Sequence, residues 1–220
     1  MTAEEILAQF SIPMEKVMNI YPYGSRVYGC HTEESDHDWV IVYRSSMLPS
    51  GAFRDNAISS PDRKHQATCY SRAGFRDAID KYDIVALECI FLDPSQVVLQ
   101  QESFRVRKWQ PKEMASAVIT KASASWHQAV IQQNRYEDEE RARKGVFHAI
   151  RILGFGLQMA EAGKIVDYGA YNAVRDEIMN DENFWPTKYI GIRDNLQERL
   201  RIRADEAYRV IRAQAGERES

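Results

Sequence analysis

Apolar and polar positions recur with two different periods along this chain, and the change of period divides it. Ile6, Leu7 and Phe10 share one face of the first ten residues. That spacing predicts an amphipathic helix over 2–10, with Thr2 as N-cap and Glu5 three residues on. Pro13 ends that unit. The run 17–23 then predicts a strand, 25–28 one helical turn, and 30–35 a polar loop. The β-branched and aromatic run 39–43 predicts a buried central strand. Scattered Ser, Pro and Gly without periodicity over 45–62 predict a loop, whether a lid, a substrate contact or disordered chain. A strand is expected over 64–70, helices over 73–82 and 84–92, and a short edge strand over 97–99.

From Pro111 the character changes to Ala-rich sequence with a period of 3.6. Helices are expected over 112–135, 142–163, 171–179 and 193–215, with the acidic 137–140 as a turn or helix start. The fold class that follows is α+β: a sheet-containing half over 1–105 and an all-α half over 106–220.

Composition narrows this little. The 220 residues are enough for a sizeable core, and a net charge of −3 argues against a surface coated in basic residues while leaving room for a local basic groove. Cys30, Cys69 and Cys89 lack metal-finger spacing and read as small buried residues of a reducing cytoplasm. Glu4 and Glu5 stand where a secretion signal carries positive charge, and no apolar run reaches membrane-spanning length, so a cytoplasmic protein with no membrane partner is expected.

The chemistry concentrates in Tyr23-Gly24-Ser25-Arg26-Val27-Tyr28-Gly29 and Ser35-Asp36-His37-Asp38-Trp39. On a strand, Asp36 and Asp38 point to one face, with His37 and Trp39 to the other. Two neighbouring carboxylates repel unless a cation lies between them, and magnesium suits such hard oxygen ligands while leaving positions for substrate phosphates. Gly24 lets backbone approach a ligand closely, and Ser25 opens a helical turn whose N–H groups and hydroxyl suit an anion. His31 and His37 flank the carboxylates as polar loop and strand residues, or as added metal or phosphate contacts.

Gly-Ser, a spacer and Asp-x-Asp together resemble the signature of the DNA polymerase β-type nucleotidyltransferase superfamily. The wording Gly24-Ser25-Arg26-Val27-Tyr28-Gly29 with Glu34-Ser35-Asp36-His37-Asp38 is similar to a branch of predicted nucleotidyltransferases that includes RNA-ligase-associated polymerases. The resemblance implies a polymerase β-like mixed-sheet core, with the helical half completing a nucleotide and acceptor cleft. It implies Mg2+ or Mn2+ on Asp36 and Asp38, and an NTP whose terminal phosphate meets Gly24 and Ser25 while Arg26 stabilises negative charge. The implied acceptor is an RNA or other polynucleotide end. Small-molecule and protein acceptors occur in the same superfamily.

Two further points bear on that expectation. Arg141, Lys144, His148 and Arg151 fall three and four apart, a basic stripe opposite the apolar Val146, Ile150, Leu153 and Leu157. The stripe is either a solvated face or, as the branch's basic residue and His-x-x-Arg pattern implies, a phosphate grip formed by Lys144, His148 and Arg151. The superfamily's third carboxylate is missing. Gln66 falls at its position, and an amide neither neutralises a cation nor takes a proton. Asp62 precedes that strand. Glu88, in Ala86-Leu87-Glu88-Cys89-Ile90-Phe91, is either a substitute ligand or an acid paired with a buried Arg. A catalytically degenerate nucleotide binder or an antitoxin-like interaction protein therefore stands beside the enzyme reading. Trp109, Trp126 and Trp185 are expected in packing, and the arginines between 193 and 212 in ion pairs with interleaved acids.

Overall fold

The computed structural model describes residues 1–45 and 56–216. They form two compact units, Met1–Arg107 and Lys108–Ser220. In the first, α1 (Ala3–Gln9) starts at Thr2 with the expected capping box, in which Thr2 and Glu5 satisfy each other's backbone N–H. Five strands follow: β1 (Val17–Tyr23), β2 (His37–Tyr43), β3 (Asn56–Ser59), β4 (His65–Ser71) and β5 (Leu99–Gln100). Their order is β3-β4-β2-β1-β5, with β2 and β4 parallel and the other neighbours antiparallel. The sheet is mixed and the class is α+β.

Alternation along the strands fills both faces of this sheet. Ile6 and Leu7 of α1 pack on Val17, Trp39, Ile41 and Cys69. On the other face, helices α2 (Arg72–Asp80) and α3 (Ile84–Phe91) lay Phe75, Ile79, Ala86 and Cys89 against Tyr21, Val40, Val42 and Tyr70. Each fully buried aliphatic side chain of this kind contributes about 1.5–3 kcal/mol. Ser71 and Asp83 cap the two helices through their side chains.

Several expectations need correction. Residues 46–55 of the expected 45–62 loop lie outside the described residues, but 56–59 is a strand. Four residues are too few to show a period in the sequence. Pairing with β4 and the packing of Ile58 on the sheet's α1 face decide the matter. The expected edge strand over 97–99 shifts to Leu99–Gln100, where β1 supplies its hydrogen bonds.

The second unit is built from α4 (Pro111–Tyr136), α5 (Glu139–Ala162), α6 (Asn172–Asn180) and α7 (Ile190–Gly216). Helix α5 is central and packs on α4, α6 and α7. A Cβ at Gly145 would come within 2.8 Å of Ala129, so two small residues set the approach of α4 and α5. Helix α7 opens at Ile190 rather than 193, continuing the turn Pro186–Tyr189. Trp126 is buried with Arg193 stacked 4.7 Å from its ring centre, whereas Trp185 is 46% exposed, contrary to the expected packing. Arg193, Arg201 and Arg203 pair with Asp194, Glu198, Glu206 and Glu161. Among the described residues, no helix is long and apolar enough to cross a membrane.

Candidate active site

The sheet brings the carboxylates to the turn. β1 ends at Tyr23, directly opposite Asp38 in the β1–β2 register, and the chain reverses at Gly24. Gly24 has a φ of +77°, and a Cβ built there would lie 2.1 Å from Asp38 Oδ2. Only glycine adopts that backbone without strain and leaves the carboxylate its place. The Gly-Ser bend and the aspartate therefore share one space.

Asp36 stands just before β2, not within it, and lies close enough to Asp38 to disfavour its ionisation. Burial is the larger cause, and together they raise the Asp38 carboxyl above the usual carboxylate range; Arg26 opposes them. Gln66, registered opposite Asp38 on β4, donates its Nε2 to Asp36 Oδ2 at 2.7 Å. It thus stands beside the pair. Asp62 is held in the turn before β4, accepting from Ser60 Oγ at 2.5 Å and Lys64 N at 3.0 Å.

The opposite face holds the histidine. The rings of His37 and His65 stack at 4.9 Å, and Trp39 Nε1 donates to His65 Nδ1 at 3.3 Å. Burial, then Arg26, lowers the His37 pKa on the side away from the carboxylates. His31 is exposed in the preceding loop.

Two expectations change here. The helix expected at Ser25 is a single 3-10 turn, Gly24–Arg26, so a macrodipole contributes little, and an anion would depend on close backbone approach and the Ser25 hydroxyl. Arg26 directs its guanidinium at the carbonyls of Ser35 (2.8 Å) and Asp36 (3.3 Å), bracing the loop that delivers the aspartates. Glu88 is 2% exposed and accepts from Tyr28 Oη at 2.6 Å and Tyr23 Oη at 3.3 Å. These tyrosines bracket the Gly24-Ser25 bend, so α3 anchors the turn from below. The sequence signal for this anchor was an acid on an apolar helix and two tyrosines flanking one turn.

In the second unit the basic stripe is not uniformly solvated. Lys144 is exposed and pairs with Glu140 at 2.5 Å, and Arg141 with Asp138 at 3.3 Å. Arg151 is only 7% exposed, its guanidinium near the rings of Phe147 and Phe155 and bonded to His148 Nδ1 at 2.8 Å. Burial, then Arg151 and Lys121, pushes His148 down to about 3, so it is neutral at pH 7. The stripe turns inward because a central helix packed on three others leaves few positions in water.

As a cation site the arrangement is open. Among the described residues, no group of three or more His, Cys, Asp and Glu converges on one point. Asp36, Asp38 and the Gln66 carbonyl offer oxygens, and the repulsion recorded in Asp38 is what a cation relieves. That donor set fits magnesium or manganese completed by water and phosphate, not a closed structural site.

Replacing Gly24 with Ala is expected to displace Asp38 or the turn and to cost about 2 kcal/mol or more of stability. Urea denaturation of the Gly24→Ala chain reads this directly, and an unchanged midpoint contradicts the shared space.

No protein-family model matches this chain, and no curated protein does. Among solved structures it is similar to a nucleotidyltransferase-like protein from Exiguobacterium sibiricum, at 11% identity, over 94% of this chain and 76% of that one, with a TM-score of 0.34. So distant a likeness assigns no residue a role.

Proposed function

We propose that the chain is a metal-dependent nucleotidyltransferase that moves a nucleoside monophosphate from an NTP to an acceptor hydroxyl, with a polynucleotide end, RNA foremost, as acceptor. The observation that carries this is the placement of Asp38 against Gly24, with Asp36 beside it. A carboxylate pair under a glycine turn gives a triphosphate a surface of approach next to oxygens that hold a hard cation.

In the reaction the acceptor oxygen attacks the α-phosphorus and forms the new ester bond. The bond to the bridging oxygen breaks, and pyrophosphate leaves with that electron pair. The cation supplies charge neutralisation at the phosphate oxygens. Asp36 and Asp38 hold it, Gly24 and Ser25 receive a terminal phosphate, and Arg26 keeps the aspartate loop in register. Gln66 cannot take the hydroxyl proton. Of Lys144, His148 and Arg151, the α5 residues expected to grip phosphate, Lys144 alone is exposed.

The reading is tested by incubating the protein with Mn2+ or Mg2+, each labelled NTP in turn, and RNA, tRNA, DNA or no acceptor. Label transferred to RNA supports it; no transfer to any acceptor overturns it.

Gln66 favours a second reading, a nucleotide binder without turnover, because its amide already satisfies one Asp36 oxygen. Gln66→Glu separates the two. Restoring a third carboxylate is expected to tighten Mn2+ binding at least about tenfold, ~1.4 kcal/mol, measured by calorimetry. Gained transfer in a previously inactive chain identifies a degenerate site; unchanged Mn2+ affinity shows that Gln66 does not face the cation.

A further inference from the structure

Four arginines gather at the opposite end of the same sheet. Arg44 follows the last residue of β2, and Arg72 and Arg76 open α2 at the end of β4. With Ala73 and Arg107 they line a pocket of about 560 Å³. Arg44 is six residues beyond Asp38 on an extended chain, hence about 20 Å away.

The cluster is built, not incidental. Asn19 is fully buried, and its side chain donates to the Glu102 carbonyl at 2.8 Å and accepts the N–H groups of Gln101 (3.2 Å) and Glu102 (3.1 Å). The segment so clamped holds three of the four guanidiniums. Gln101 bonds Arg44, and Glu102 takes Arg72 at 2.6 Å and Arg76 at 2.7 Å. Arg76 also stacks 5.0 Å from the ring centre of Phe104. Arg107 leans on Asp80 at 3.7 Å. Four positive charges against Glu102 and Asp80 leave two uncompensated, in a chain whose total is −3.

We infer that this pocket is a phosphate-backbone subsite for a polynucleotide, reading charge and not base. Like charges crowded in one concavity repel, and a polyanion removes that cost. Guanidiniums already held in place lose little freedom on gripping phosphate, and their planar forks match phosphate oxygens. Among the described residues the lining offers neither an aromatic ring nor a neutral amide to recognise a base. Two surplus charges match two successive singly charged phosphodiesters. The choice of polynucleotide rests on the acceptor proposed above; the anion site does not.

The test is fluorescence anisotropy with a labelled single-stranded RNA spanning several phosphates, in EDTA and without NTP, over a salt series. Wild type is expected to bind with strongly salt-dependent affinity. Arg44→Gln with Arg107→Gln spares the Glu102 pairs. It is expected to weaken binding about tenfold and to flatten the log–log salt slope by about 1.4, from ~0.7 per phosphate contact on single strands. Ala73→Glu, at an exposed position in the first turn of α2, adds a carboxylate to the pocket without removing a contact, and is expected to abolish binding with thermal stability retained. RNA bound equally by wild type and both variants, or by none, overturns the inference. So does displacement of RNA by inorganic pyrophosphate at concentrations where ionic strength alone has no effect, since that marks a small-anion site. Because this assay contains neither divalent cation nor NTP, it is independent of turnover: RNA bound here, with no label transferred in the Mn2+ and NTP incubation, refutes the transferase reading alone.

Discussion

Asp38→Asn is expected to lower nucleotidyl transfer at least about a hundredfold, ~2.7 kcal/mol of transition-state stabilisation, while leaving the fold intact. The asparagine keeps the shape beneath Gly24 and removes the charge. Stability should respond in the opposite sense. Burial and Asp36 raise the Asp38 carboxyl, so the folded chain holds that proton more tightly than the unfolded one. The sign follows from linkage: stability is greatest below the unfolded aspartate value, about 3.9, and falls as pH rises through the higher folded value. At pH 7 in EDTA the variant should therefore melt at or above wild type, and the difference should vanish in acid. Adding Mn2+ should raise the wild-type melting temperature and not the variant's, because only a charged pair binds the cation. Melting curves for both proteins across pH, with and without Mn2+, read all of this. A wild type indifferent to millimolar Mn2+ and Mg2+ removes the cation site. An Asn variant with full transfer removes Asp38 from the chemistry.

Glu88→Ala carries the largest expected loss of stability, about 3 kcal/mol, or roughly 12–24 °C in the melting of the first unit. Its carboxyl oxygens receive the hydroxyls of Tyr23 and Tyr28 in an apolar surround, and Tyr28 is itself only 3% exposed. Truncation removes the acceptor that both hydroxyls share and opens a cavity under α3. Tyr28→Phe removes one bond without a cavity and should cost about 1 kcal/mol. Because the tyrosines flank the Gly24-Ser25 bend, transfer by Tyr28→Phe should fall through a higher KM for NTP with kcat less affected. A Glu88→Ala chain as stable as wild type excludes the anchor. A direct role for Glu88 as a cation ligand predicts instead that Ala weakens Mn2+ binding while Tyr28→Phe does not.

Much of the first unit was legible along the chain because its signals are local. The capping box at Thr2 and the alternation through the strands each depend on residues a few positions apart. β3 was not legible. Four residues carry no period, and only the partner strand makes them a strand. The basic stripe of α5 shows the same limit: its spacing is written in the sequence, yet the burial of Arg151 depends on which helices surround α5.

The sequence by itself determined the α+β division, the pairing of Asp36 with Asp38, and the shared orientation of His37 and Trp39 away from that pair. Each follows from periods of 2 and 3.6 and from side-chain chemistry. Only the tertiary structure decided that Asp38 lies against Gly24, that Glu88 anchors the tyrosines around the turn, and that Arg44, Arg72, Arg76 and Arg107 meet around one pocket. Those contacts join residues far apart in the chain. Strand register and helix packing bring them together, and no local pattern encodes either.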